Sequence, residues 1–139
     1  GLEEDIKENF KSYNVGFHRH QPEIKDFLKT EFNLDHEIIF IPHLLPLFRG
    51  EYVTLYCEVS QSDLNLNELY ESYYEKHQLV RVKDKGEIAE IKDVINTFYC
   101  DISVSYAFQS NTIIVNSAID NLLKGAASQA IQCLDIMSS

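Results

Sequence analysis

The chain has 139 residues, 45% of them hydrophobic and 24% charged, with a formal net charge of −10, which suits one globular domain with a buried core. Its 22 acidic side chains against 12 basic ones repel polyanions at long range and argue against nucleic acid as a partner. No apolar run approaches the roughly 20 residues that span a bilayer, and the opening GLEEDIKENF is charged where a secretory signal is apolar, so a cytoplasmic protein without membrane contact is expected.

Pro22–Phe32 places Ile24, Phe27, Leu28 and Phe32 at helical spacing, with Pro22 suited to the first helical position and Glu23 to the positive helix end. Glu37–Ile41 is a β-branched and aromatic run that predicts a strand. Glu51–Ser60 alternates Tyr52, Thr54, Tyr56 and Glu58 against Val53, Leu55, Cys57 and Val59, a second and longer strand. Between them lies the loop PHLLPLFRG. Asn67–His77 reads as a helix opened by an Asp or Asn of SDLNLN, Leu79–Val82 as a short strand and KDKGE as a turn. Cys100–Phe108 and Thr112–Val115 are two further strands, joined through QSN as a hairpin.

The last segment carries one apolar stripe, Ile119, Leu122, Leu123, Ala126, Ala127, Ala130, Ile131, Leu134 and Met137, at the spacing of a long amphipathic helix. Its other face, Asn121, Lys124, Gly125, Ser128 and Gln132, is small or polar. That face is either solvated, or shaped for close approach of another backbone or a ligand. No repeat, low-complexity tract or linker divides the chain, and residues 1–139 read as a single domain. Strands and helices interleave without a strict βαβ rhythm or a glycine-rich nucleotide loop. An α+β fold is expected, a mixed β-sheet with helices packed on one face. Cys57, Cys100 and Cys133, odd in number and set among apolar neighbours, fit reduced core thiols better than disulfides or zinc ligands.

Two motifs carry candidate chemistry. In GFHRHQPEI, an extended backbone would send His18 and His20 to one face and Arg19 to the other. The pair could be hydrogen-bonded structural histidines, or acid/base groups, since an unperturbed imidazole titrates at about 6.5. A metal would need further ligands that the spacing does not offer, so none is expected. Arg49, between Phe48 and Gly50, is either an ordinary loop arginine or a fork of donors for a carboxylate or phosphate. Two basic sites in an acidic chain suggest an anionic small molecule.

YNVGFHRHQPEI, FIPHLLPLFRG, NTFYCDISV and SAIDNLLKGAASQAIQ together resemble, in that order, the C-terminal catalytic and dimerisation domain of N-acetyl-γ-glutamyl-phosphate reductases. These are NADPH-dependent enzymes of arginine biosynthesis whose C-terminal domain is glyceraldehyde-3-phosphate dehydrogenase-like. The resemblance implies a homo-oligomer, dimer or tetramer, associating through the sheet face, with Tyr52–Val59 at a subunit contact. It implies an acyl-phosphate substrate attacked by a cysteine of a Gly-Cys-Tyr-Pro motif, loss of phosphate, and reduction of the thioester by NADPH to a semialdehyde. On that pattern His18 is the acid/base partner of the cysteine, and His20 and Arg49 lie near the substrate. Asn121, Lys124 and Gly125 lie on a helix beside the nicotinamide.

None of the three cysteines sits in the nucleophile motif and no dinucleotide fingerprint is present. The chain is therefore expected to be an excised domain, inactive alone, with NADP bound mainly by a missing N-terminal domain. A sister acyl-phosphate reductase of lysine biosynthesis and a non-catalytic ligand or dimerisation module are the alternatives.

Overall fold

The computed structural model describes residues 8–60 and 63–138. The chain, read from sequence as one domain, divides into two compact units, Gly1–Phe48 and Arg49–Ser139.

Among its described residues the first unit is built around one helix. Strand β1 (Lys11–Ser12) pairs antiparallel with β2 (His43–Leu44), and the Tyr13 N–H donating to Pro42 O at 3.1 Å extends this clip. Between them runs α1 (His20–Phe32). It starts two residues before Pro22, with His20 already helical and Arg19 in the right-handed region. It ends where Asn33 turns left-handed, at φ 54°, and Asn33 and Leu34 donate back to Lys29 O and Leu28 O. Asparagine tolerates that backbone better than most side chains, and the two bonds satisfy carbonyls the helix would otherwise leave bare. The strand predicted over Glu37–Ile41 does not form: the segment is irregular, with Ile39 86% exposed. Its β-branched composition favours a pleated conformation, but propensity needs a neighbouring strand, and among the described residues none pairs there.

The second unit is a four-stranded mixed sheet in the order β3 (Glu51–Glu58), β6 (Thr112–Ile119), β5 (Cys100–Tyr106), β4 (Val80–Val82). β6 is antiparallel to both its neighbours, whereas β4 runs parallel to β5. Helix α2 (Leu66–Tyr74) is capped by Asn65, whose side chain accepts from the Glu68 N–H. It buries Leu66 against Val104 and Ile113, with Val59, Tyr70, Tyr106 and Val115 packed around them. The short α3 (Ile91–Val94) covers the opposite face, where Val94, Ala89 and Ala118 form a second core cluster. On that face Ser103 Oγ accepts the Ala89 N–H at 3.1 Å.

β6 is longer than its sequence suggests. Asn116 and Ser117 interrupt the apolar run, yet both are strand residues: Asn116 Oδ1 accepts from Thr54 Oγ1 at 2.9 Å, and Ser117 Oγ lies 3.4 Å from Cys100 Sγ. Ile119 therefore ends a strand instead of beginning a helix. Beyond it the chain forms a π-helical turn, Leu123–Ala127, and then α4 (Ser128–Ser138). The thiols are free as expected, but only Cys57 and Cys100 are half-buried. Cys133 is exposed, because α4 turns that face outward. Burial pushes the Cys57 thiol above its ordinary value, which disfavours the reactive thiolate.

Candidate functional site

The two motifs fall in different units. In the first unit, His18 and His20 are neighbours, with ring centroids 4.7 Å apart and nearly perpendicular. The cause is a turn into α1, not the alternation of an extended segment: the chain bends at residues 15–17 and is helical by His20. His18 Nδ1 accepts the His20 backbone N–H at 3.3 Å, occupying one donor of the helix start that lacks an intrahelical partner. An imidazole that accepts at Nδ1 carries its hydrogen on Nε2. The Nε2–H of His18 is thus a donor.

His18 is 9% exposed, within ring contact of Tyr13, His20 and Phe40. Tyr13 and His20 are themselves exposed, so the imidazole lies beneath a shallow aromatic layer rather than deep in a core. No group of three or more His, Cys, Asp or Glu suited to a metal is found among the described residues.

In the second unit, Arg49 and Gly50 lead into β3, and both are tied to the exit of β6. The Gly50 N–H donates to Asn121 Oδ1 at 2.8 Å. Gly50 has φ 114°, and a Cβ there would lie 2.5 Å from Ile91 Cγ2, so only glycine fits this close approach. The Arg49 guanidinium faces Asp120, with Nε 3.4 Å from Oδ2 but off the angle of a hydrogen bond. Its Nη1 donates to Asn96 Oδ1. Asp120 is fully buried: Oδ1 accepts the Leu122 and Leu123 N–H groups at 2.9 and 3.0 Å, and Oδ2 accepts the Asn96 N–H at 2.9 Å. Burial alone would push this carboxyl up. The backbone donors of Asn96, Leu123 and Leu122, with Arg49 beside them, outweigh it and hold the group below the ordinary aspartate value.

Sequence reasoning does not single out Asp120 and Asn96. The available signal is an acidic residue closing the apolar run SAI just ahead of a helix, the position where aspartate caps backbone N–H groups.

Lys124 donates to Gln132 Oε1 at 2.6 Å. Gly125 sits against the strand end, where a Cβ would meet Ile119 Cδ1 at 3.3 Å and Asp120 O at 3.6 Å. Of the two sequence readings of this small polar face, close approach of the chain's own backbone accounts for Gly125. With Asn121 Oδ1 on Gly50, the three positions expected beside a cofactor are each engaged inside the chain.

A second buried carboxylate lies nearby in the sheet. Asp101, fully buried, accepts from Arg81 Nε at 2.6 Å, with Lys83 Nζ at 3.8 Å from its other oxygen. Arg81 also donates to Asp93 O and stacks its guanidinium 4.3 Å over the Tyr99 ring.

The architecture is that of aspartate semialdehyde dehydrogenases. The Francisella tularensis enzyme superposes with a TM-score of 0.70 at 16% identity, over 94% of this chain and 40% of that one. The aspartate semialdehyde dehydrogenase II of Vibrio cholerae gives 0.68 at 16% identity, over 96% and 40%. At family level the match is direct: residues 2–121 fit the family described as semialdehyde dehydrogenase, dimerisation domain, and the chain belongs to it. Among curated relatives, N-acetyl-gamma-glutamyl-phosphate reductases of Clostridium botulinum and Halothermothrix orenii are 45% and 40% identical, over 94% and 96% of the chain. The chain spans only 38–39% of their length.

Proposed function

We propose that the chain is the substrate and dimerisation portion of an NADPH-dependent reductase that converts N-acetyl-glutamyl 5-phosphate to the 5-semialdehyde and phosphate in arginine biosynthesis. The observation that carries this reading is 40–45% identity to reductases of that name across nearly the whole chain. The reaction balances as acyl transfer to a thiol with departure of phosphate, then addition of hydride to the thioester carbon with release of the thiol. Thiol and dinucleotide are supplied by the remainder of the longer protein, where NADPH provides the hydride when bound. Asn121, Lys124 and Gly125 lie near its nicotinamide.

Within this scheme His18 handles the proton. In the neutral ring its Nε2–H hydrogen-bonds to the oxygen on which negative charge develops, and it passes a proton to that oxygen or to the thiolate only as imidazolium, with Nδ1 released from the His20 N–H. His20 and Arg49 bind the anionic substrate. In the longer protein, His18→Ala lowers turnover by roughly 10²–10⁴-fold, the contribution of a general acid or base, and an unchanged rate removes His18 from the chemistry. Competition between the arginine and lysine acyl phosphates for that protein separates this reading from its sister reductase. The exposed edge strand β3, with Tyr52, Leu55 and Tyr56 40%, 50% and 68% exposed, serves the homo-oligomer, and no helix among the described residues is long and apolar enough to cross a membrane.

A further inference from the structure

We propose that Asp120 is the positioning residue of Arg49, and that it sets which edge of the guanidinium the substrate meets. The inference rests on the reading of Arg49 as a substrate-binding group and adds the device that aims it.

Three observations converge on this. First, Asp120 cannot turn: one oxygen is held by the Leu122 and Leu123 N–H groups and the other by the Asn96 N–H. Second, it acts on Arg49 by two routes. Directly, Oδ2 stands 3.4 Å from Nε. Indirectly, the same oxygen fixes the backbone of Asn96, which has left-handed φ 60°, and the Asn96 side chain holds Nη1. Third, the neighbouring residues repeat the tie at backbone level, since Asn121 holds the Gly50 N–H.

Nε and Nη1 therefore face the chain's own groups, and Nη2 carries no hydrogen bond among the described residues. Arg49 is a quarter exposed along its side chain, whereas Asp120 has no exposure at all. A flexible arginine loses rotamer freedom when it clamps an anion. One already pinned by a carboxylate that the backbone immobilises has lost it beforehand, and binds its anion with the Nη2 edge in place.

The test uses the longer reductase that contains this domain, with steady-state kinetics on the acyl phosphate and inhibition by inorganic phosphate as a second readout. Asp120→Asn keeps an acceptor for the helix N–H groups and removes the charge. We expect it to raise KM and the phosphate inhibition constant about tenfold, with kcat within about threefold of the parent, the pattern of lost binding rather than lost chemistry. Asn96→Ala, at an exposed position, raises KM in the same direction and replaces Asp120→Asn should that variant fail to fold. In an Arg49→Ala background neither change adds a further effect, because the two residues act only through the guanidinium. Additive effects, or a fall in kcat at constant KM, overturn the proposal and leave Asp120 a structural capping residue. If Arg49→Ala itself leaves KM unchanged, the substrate-binding role of Arg49 falls instead. If Arg49→Ala raises KM but Asp120→Asn and Asn96→Ala do not, only the positioning role falls.

Discussion

Asp101 and Asp120 lie close to one end of the β5–β6 ladder, since Asp101 pairs in register with Ala118, two residues before Asp120. Both carboxylates are fully buried, and burial of a charge is tolerated only with compensation. They obtain it in opposite ways. Asp101 relies on side chains, the Arg81 guanidinium and the more distant Lys83 ammonium, and one of its oxygens has no hydrogen bond among the described residues. Asp120 relies on backbone N–H groups from two separate segments, and its arginine is the partner it depends on least. A carboxylate held by backbone has its direction fixed by the fold, so its cation remains free to serve another group. One held by cations has no such surplus, and its ion pairs are committed to the fold.

The comparison breaks most readily on the carboxylates themselves. Asp120→Ala strips three backbone donors of their acceptor at a fully buried position, and with about 1–3 kcal/mol for each unsatisfied group it should cost the chain on the order of 4 kcal/mol in urea denaturation. Asp101→Ala leaves Arg81, 40% exposed, able to reach solvent, and should cost roughly half as much. Equal shifts in midpoint at equal slope would show that the kind of donor does not matter.

Replacing the cations reverses the order. Arg81→Met leaves a buried carboxylate with only a lysine near it and should destabilise by about 3 kcal/mol. Arg49→Met leaves Asp120 its three backbone bonds and should cost about 1 kcal/mol, although it removes the anion contact proposed for Arg49. Thermal melts of the two variants measure the gap, and a larger loss for Arg49 would count against Asp120 being self-sufficient.

The smallest effect sharpens the contrast through pH. The Asp120 carboxyl lies below the ordinary value of 3.8 in the folded chain, so between its folded value and 3.8 the unfolded state binds the extra proton. Its contribution to stability is complete above about pH 3.8 and is lost as the pH falls through the lowered value. Asp120→Asn should flatten the acid limb of the stability curve in that window. An unchanged limb would mean that the backbone donors favour the charged form no more than water does.

Much of this architecture is legible in the amino-acid order, where alternation or helical spacing is uninterrupted. The strands expected over Glu51–Ser60 and Cys100–Phe108 form at Glu51–Glu58 and Cys100–Tyr106 from their period-2 patterns, and the helix expected over Asn67–His77 forms at Leu66–Tyr74, with Asn65 the one residue of SDLNLN that caps it. The pattern cuts β6 short because Asn116 and Ser117 look like turn residues, and only the side chains facing them on neighbouring strands make them strand residues. Ile119, Leu122 and Leu123 share helical spacing by coincidence, across the junction of strand and turn. Glu37–Ile41 has strand composition without a strand partner, a fact that no local pattern contains. At the site, the nearness of His18 and His20 is legible although its cause is a helix entry. The role of Asp120 is not, because it depends on Asn96 and Arg49, which lie 24 and 71 residues away along the chain.

The π-helical turn at Leu123–Ala127 has a further consequence. Its bonds, from Gly125 N–H to Asp120 O and from Ala127 N–H to Leu122 O, skip five residues instead of four and accommodate one residue more than an α-helical turn. One residue is worth about 100° of rotation about the helix axis. The compass heading of Ile131, Leu134 and Met137, all well exposed, is therefore set by the length of that turn more than by its letters. Deleting a single residue within 123–127 would swing the whole terminal stripe by more than a quarter circle while leaving each helix intact.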